Sequence, residues 1–333
     1  MAESTYFWDA GLSVDLAPRH PSGLRLRNPV MIASGTLGYD GYGRGLIGNH
    51  PLHKLGAVIP KTVTRWPREG NPEPRWFPES YREAWESGDH LFLNAIGLIN
   101  PGIETAVREW TREWVQWNAT VFFSFAAHSV GEFGEMAAMT EEAVGISALE
   151  LNLSCPNIEN GAMFSYSSAL THDAVAAVKA NSDLPVLAKL SPNVPDITEI
   201  ARAAVDGGAD ALTICNTLPA MKIDLESRRP VLGNITGGLS GMGLRPVSLA
   251  LVYQCAQAVN VPIIGVGGIF DAEHALEYIL AGATAVQVGS ANLISLDAPW
   301  RVLDGLQNYM ADNNIASLAE LRGAGHPETV SKI

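Results

Sequence analysis

The sequence is poor in cysteine and lacks long uncharged apolar runs. Cys155, Cys215 and Cys255 are its three cysteines, and no two of them form a C-x-x-C pair. We therefore predict no disulfide framework and no zinc, iron–sulfur or other metal site built by this chain, and a reducing cytoplasm fits best. No apolar stretch reaches the roughly 18 residues of a membrane span, and the first residues lack the pattern of a secretion signal. We expect neither a span nor a signal.

Positive charge is also scarce. The chain carries 22 Lys and Arg residues against 35 Asp and Glu residues, which gives a formal net charge of -13 at pH 7. This balance disfavours a general affinity for nucleic acid or for an anionic membrane surface, although it is compatible with local basic sites. Hydrophobic residues make up 47% of the 333 positions, enough to bury one large core. No repeat, low-complexity segment or linker divides the chain, so we predict a single domain over 1–333.

Short β-rich runs recur along the chain, and helical patterns separate most of them. Eight runs have the length and bulk of buried strands: 30–34, 57–62, 121–125, 148–153, 185–190, 211–215, 262–266 and 285–288. Helix-like segments lie at 173–181, 197–206, 246–259 and 272–281. Apolar strands that alternate with helices in this way predict an α/β fold, a parallel (β/α)8 TIM barrel. A doubly wound open sheet is the alternative.

Polar residues stand at or just past the carboxyl ends of these runs, where a barrel places its active site. They are Ser34, Lys61, Thr62, Asn152, Cys155, Lys189, Cys215, Asn216 and Thr217. A thiol held at such a place can be a base or a nucleophile, but a free cysteine is also a common apolar filler. Two lysines that interrupt apolar runs would suit an acidic substrate and an electron-poor ring. Carboxamides at strand ends suit a ring that carries N–H and C=O groups, although asparagine is also a turn residue.

Glycine turns end the last two runs. Gly267-Gly268 follows one of them and Gly289-Ser290 follows the other, with Gly241 in a third glycine-rich segment. Such turns use glycine for their own geometry about as often as for a ligand. Two of them on adjacent strands favour a phosphate-bearing cofactor, held by backbone N–H groups.

Three motifs carry a family resemblance: Leu93-Asn94-Ala95-Ile96-Gly97-Leu98, Asn152-Leu153-Ser154-Cys155-Pro156-Asn157 and Lys189-Leu190-Ser191-Pro192-Asn193. Together they resemble class 1 dihydroorotate dehydrogenase, and the resemblance covers about 28–310. The segment 229–241 is most similar to class 1B, whose FMN-binding catalytic subunit works with a second subunit carrying FAD and an iron–sulfur cluster. The resemblance implies FMN-dependent oxidation of (S)-dihydroorotate to orotate in de novo pyrimidine biosynthesis.

The resemblance also implies residue roles. Cys155 would be the catalytic base that removes the C5 proton while hydride passes from C6 to flavin N5. Substrate would be held by Lys61, Asn94, Ala95, Ile96, Gly97, Leu98, Asn152, Asn157, Asn216 and Thr217. FMN would be held by Ser34, Lys61, Thr62, Ser124, Asn152, Lys189, Cys215, Gly241, Gly267, Gly268, Gly289 and Ser290. The expected partners are dihydroorotate or orotate, a second copy in a homodimer, and an FAD and iron–sulfur subunit.

Two features depart from the family pattern. Ser124 stands where the family usually has asparagine, and an aromatic-rich insertion lies at about 73–92. The insertion either packs on its own barrel or forms a lid or subunit contact. Two other functions remain open at this point: a related flavin barrel that acts on another dihydropyrimidine, and a non-catalytic barrel that only binds a phosphorylated ligand.

Overall fold

The predicted TIM barrel is confirmed. A computed structural model describes residues 11–39, 50–86, 88, 90–154 and 164–327. Eight parallel strands close a barrel, and the last strand pairs with the first. They are β1 (Val30–Ile32), β2 (Ala57–Val58), β3 (Val121–Phe125), β4 (Ile146–Asn152), β5 (Val186–Lys189), β6 (Ala211–Ile214), β7 (Ile263–Val266) and β8 (Ala285–Val288). The run at 57–62 is shorter than predicted because Pro60 has no N–H to donate to the ladder.

Helices cover the outside of the barrel. They are Tyr81–Glu86, Ile103–Thr105, the π-helical turn Ala106–Trp110, Thr111–Val115, Val130–Met139, Ser168–Lys179, Ile197–Asp206, Arg245–Ala258, Ala272–Leu280, Ser290–Ile294 and Ala298–Asp312. The helix predicted at 173–181 begins earlier because Ser167 caps it, its side chain accepting from the N–H of Leu170. No helix in the described part of the chain has the length and apolar character needed to cross a membrane.

Alternate residues of the strands point into the barrel and form layers. The lower interior layer is apolar and consists of Met31, Ala57, Ile59, Phe122, Ala148, Leu187, Ala211, Ile264 and Ala285. Leu16, Leu24 and Leu26, from and beside the hairpin of Val14–Asp15 and Arg25–Leu26, pack against this layer and close that end of the barrel. Two residues further along five of the eight strands the interior becomes polar, with Ser124, Glu150, Lys189, Thr213 and Gln287. The strand period therefore places a polar floor at the carboxyl end of the barrel.

A four-stranded antiparallel sheet adds to the barrel between its elements. Its strands, in order, are Leu218–Ala220, Gly237–Gly241, Leu91–Asn94 and Trp76–Phe77. Two of them follow β2 and two follow β6, so segments far apart in sequence pair with one another. A separate hairpin of Ile223–Asp224 and Arg229–Pro230 lies within the excursion after β6.

The aromatic insertion packs on its own chain through two of its rings. Tyr81 is buried and stacks on Phe92 with ring centroids 4.3 Å apart. Trp85 stacks on Phe270, which follows β7, at 4.5 Å with the ring planes 5° apart. Trp76, by contrast, is 50% exposed. Packing on the barrel therefore accounts for Tyr81 and Trp85 but not for Trp76.

We expect Trp85→Ala to lower the free energy of unfolding by about 2 kcal/mol, because Phe270 loses its stacked partner and a cavity remains. The measurement is denaturant unfolding followed by circular dichroism. Trp66→Ala is the matched control, since Trp66 is 64% exposed and contacts Arg65 in a surface cation–π pair. That control should cost less than about 1 kcal/mol. Equal losses in the two variants would contradict a packing role for Trp85.

Candidate active site

A cavity of about 520 Å³ opens at the carboxyl ends of the barrel strands. Its size is typical of small-molecule sites. Seventeen of the predicted site residues line it: Ser34, Lys61, Thr62, Asn94, Ala95, Ile96, Gly97, Leu98, Asn152, Lys189, Cys215, Asn216, Thr217, Gly267, Gly268, Gly289 and Ser290. Cys155 and Asn157 lie outside the described residues. The structure thus brings residues from both ends of the sequence to one cavity.

Two predicted cofactor residues lie behind the cavity wall. Ser124 is 3% exposed, and its Oγ lies 2.8 Å from Thr62 Oγ1, which itself lies 2.9 Å from Ser34 Oγ. The hydroxyl of Thr62 therefore stands between Ser124 and the cavity. Serine at position 124 therefore supports the wall through Thr62. Gly241 is buried beside Gly268.

The described wall of the cavity is basic. Lys61 and Lys189 line it, and no aspartate, glutamate or histidine is found among the described lining residues. Lys189 comes from the end of β5 and is buried, whereas Lys61 follows β2 and is half-buried. Lys61 and Lys189 bring positive charge to this wall, and positive charge favours an anionic ligand.

A side-chain hydrogen bond joins Asn152, at the end of β4, to Asn216, which follows β6. Asn216 donates through Nδ2 to Asn152 Oδ1 at 3.2 Å and to Ser154 Oγ at 2.9 Å. Asn152 Oδ1 also accepts from the N–H of Ser154 at 3.2 Å, and Asn216 Oδ1 accepts from the N–H of Thr217 at 2.8 Å. These bonds fix the orientation of both side chains at the cavity. A site that binds a polar ring through hydrogen bonds requires such fixed donors and acceptors.

Several polar residues that were not predicted as site residues also line the cavity, among them Asn71, Ser191 and Asn193. Asn193 donates through Nδ2 to Ser191 Oγ at 2.9 Å and to Thr217 O at 3.4 Å. Asn71 donates through Nδ2 to Ala95 O at 3.0 Å and so supports the loop at 95–98. The position of Ser191 and Asn193 after β5 was a usable signal. Asn71 follows no barrel strand, and no pattern in the sequence marked it.

The sequence is compatible with two explanations for the glycine turns, their own backbone geometry and a bound ligand. The structure supports the first at Gly268 and the second at Gly289. Gly268 has a φ of +65°, and an added Cβ would lie 2.7 Å from Arg245 Cβ and 2.9 Å from Gly241 O. The turn itself therefore requires glycine there. At Gly289 an added Cβ would meet only Ala33 Cβ, at 3.7 Å. This open space beside the cavity is what a bound group needs.

Neither described cysteine is suited to acid–base chemistry near neutral pH. Burial raises the pKa of the Cys215 thiol to about 12, and it raises the pKa of the Cys255 thiol to about 12 as well. Cys215 lines the cavity, so it is a neutral, apolar part of the wall.

Comparison with known proteins shows the family to which the chain belongs. The dihydroorotate dehydrogenase family model matches residues 19–310, which include all eight barrel strands. A protein of Desulforudis audaxviator named dihydroorotate dehydrogenase B (NAD(+)), catalytic subunit, is 46% identical over 306 residues, 92% of this chain and 96% of the relative. A protein of Geotalea uraniireducens with the same name is 43% identical over 314 residues, 94% of this chain and 97% of the relative. This chain therefore belongs to the dihydroorotate dehydrogenase family.

Proposed function

We propose that the chain oxidises (S)-dihydroorotate to orotate with a bound FMN, a step of de novo pyrimidine biosynthesis. The observation that carries the proposal is the character of the cavity, where two lysines and several carboxamides line the same space. A pyrimidine ring with a carboxylate presents the complementary groups, a negative charge and alternating N–H and C=O groups.

The residues present fit FMN. The cavity is large enough for a cofactor together with a small ring, and the open space at Gly289 lies next to Ser290, the first residue of the helix Ser290–Ile294. This half of the cavity would also be formed by Ser34, Thr62, Lys189, Gly267 and Gly268, with Ser124 and Gly241 behind the wall. When bound, FMN would supply the hydride acceptor. Lys189 would face the edge of the flavin ring on which negative charge grows during reduction.

The other half of the cavity would hold the substrate. Lys61 would pair with its carboxylate, while Asn94, Asn152, Asn216 and Thr217 would bind the ring polar groups. The loop of Ala95, Ile96, Gly97 and Leu98, supported by Asn71, would cover the ring. Asn157 is assigned here from the motif alone.

Cys155 would be the base that takes the proton from C5. The described wall offers no carboxylate or imidazole for this task, and the Cys215 thiol is held neutral by burial. A thiol with a lowered pKa is an effective base near neutral pH.

Spectroscopy of the purified protein tests the proposal. The protein should carry one FMN, and dihydroorotate added without oxygen should bleach the flavin absorption while dihydrouracil should not. Bleaching by dihydrouracil instead would assign another dihydropyrimidine. A colourless protein that also fails to take up added FMN would reduce the chain to a phospholigand-binding barrel and would contradict the proposal.

We also propose that a second subunit with FAD and an iron–sulfur cluster accepts the electrons, because two similar relatives are named as NAD(+)-linked catalytic subunits. Affinity capture from native cells, followed by an assay for NAD reduction by dihydroorotate, tests this. Isolation as a homodimer alone, with full turnover on fumarate and none on NAD, would contradict the second subunit.

A further inference from the structure

A carboxylate lies buried inside the barrel below the cavity. Glu150 is 0% exposed and sits on β4, whose sheet neighbours are β3 and β5. Its side chain contacts Thr213 on β6 and Gln287 on β8, and β8 lies on the opposite side of the barrel. The contact between Glu150 and Gln287 therefore spans the barrel interior.

Hydrogen bonds hold one oxygen of this carboxylate and leave the other for a cation. Glu150 Oε2 accepts from Thr213 Oγ1 at 3.1 Å and from Gln287 Nε2 at 2.6 Å. Oε1 has no hydrogen-bond donor within the described chain, and Lys189 Nζ lies 3.9 Å from it. The carboxylate is thus anchored on one side and faces the lysine with the other.

The pair matters because both charges are removed from water. A buried charge requires a partner, and the attraction between two charges is stronger in the barrel interior than at the surface. Lys189 is itself buried and lines the cavity, so Glu150 acts on the cavity wall through its electrostatic interaction with the Lys189 ammonium. The ammonium therefore lies between the buried carboxylate and the cavity.

We propose that Glu150 is a positioning residue that holds the Lys189 ammonium at the cavity floor and thereby sets the relative affinity of the site for oxidised and reduced flavin. This inference rests on the proposed function, since it needs FMN against Lys189. With Glu150 in place the ammonium is held back and partly neutralised, so reduced flavin gains less from it.

The variant Glu150→Gln tests this with the whole chain. It removes the charge but keeps the shape, and the carboxamide of Gln287 can turn over to accept from the new amide, because Gln287 Oε1 has no described donor. We expect reduced FMN to bind about tenfold more tightly relative to oxidised FMN, which raises the two-electron midpoint potential by about 30 mV. Thr213→Val is the matched control, because it removes a hydrogen bond to the same carboxylate but no charge, and its potential should stay at the wild-type value.

The same substitution in a protein that already carries Lys189→Met distinguishes an effect through Lys189 from a direct effect of Glu150 on the flavin. If Glu150 acts through Lys189, Glu150→Gln introduced into Lys189→Met should change the ratio of the two FMN affinities by less than about twofold. A shift of equal size with and without the lysine would overturn the positioning role. Equal potentials for the wild type and Glu150→Gln would overturn the inference while leaving the proposed function intact, whereas a wild type that binds no FMN would overturn both.

Thermal unfolding of the flavin-free protein gives a measurement that does not depend on the cofactor. Lys189→Met alone leaves a buried carboxylate without its cation, whereas the double variant with Glu150→Gln removes both charges. The double variant should therefore melt at a higher temperature than Lys189→Met. This comparison also covers the case in which Glu150→Gln alone does not fold, and a double variant that melts no higher than Lys189→Met would overturn the pairing.

Discussion

Cys155→Ala should slow the bleaching of flavin by dihydroorotate by roughly 10²–10⁴-fold, the usual contribution of a general base. Alanine removes the proton acceptor but leaves the lysines and carboxamides of the cavity unchanged, so orotate should still bind. Stopped-flow absorption under anaerobic conditions measures the rate, and titration of the flavin spectrum with orotate measures binding. Loss of rate with retained orotate affinity is the signature of a missing base rather than of a damaged site.

Two further variants sharpen that result. Cys155→Ser should recover part of the rate only at higher pH, since a hydroxyl is a much weaker acid than a thiol. Cys255→Ala removes another cysteine, one buried outside the barrel in the helix Arg245–Ala258, and should stay within a few fold of wild type. A Cys155→Ala rate as high as that of Cys255→Ala would show that a different group takes the proton.

Ser290→Asp should weaken FMN binding by roughly 10²-fold. A carboxylate about 5 Å from a phosphate, at an effective dielectric constant of about 20, repels it by about 3 kcal/mol. The fold should tolerate the change, because an acidic residue in the first turn of a helix is favourable and Ser290 begins the helix Ser290–Ile294. The dissociation constant is measured from the quenching of FMN fluorescence on titration into flavin-free protein.

Ser290→Asn is the matched control for this variant, because asparagine has the shape of aspartate without its charge. It should bind FMN at least tenfold more tightly than Ser290→Asp, and the gap should narrow as salt is added. Identical affinities for the two variants would place the phosphate away from Ser290.

The sequence predicted the barrel well because its strands are buried on both sides and therefore appear as continuous apolar runs. The run at 121–125 is β3 to the residue, and the run at 148–153 falls largely within β4. The site followed from the same pattern, since the carboxyl ends of parallel strands meet at one end of a barrel. Strand length was less predictable where a proline removed a donor, as after β2.

The sequence position of a residue did not predict whether its side chain lines the cavity or lies behind the cavity wall. Ser124 and Thr62 both follow the strand-end rule, but only the packing of one hydroxyl over the other shows which of them lines the cavity. The antiparallel sheet was missed because its strands are two to five residues long and its central pairing, between Leu91–Asn94 and Gly237–Gly241, joins segments more than a hundred positions apart. Glu150 was overlooked although it lies one strand period before Asn152, a spacing that directs both side chains to the same face.

The change from an apolar to a polar interior within one strand period has an evolutionary consequence. Phe122 and Ser124 are two residues apart on β3, as are Ala285 and Gln287 on β8. The first residue of each pair belongs to the apolar lower layer and the second to the polar upper layer. Substitutions in the lower layer are constrained by the cost of a cavity or of an unpaired polar group. Substitutions in the upper layer reach the site through Lys189, which lines the cavity, but they are constrained by the buried hydrogen bonds that join Glu150 to Thr213 and Gln287. A lineage that alters this layer therefore has to change several of its members together.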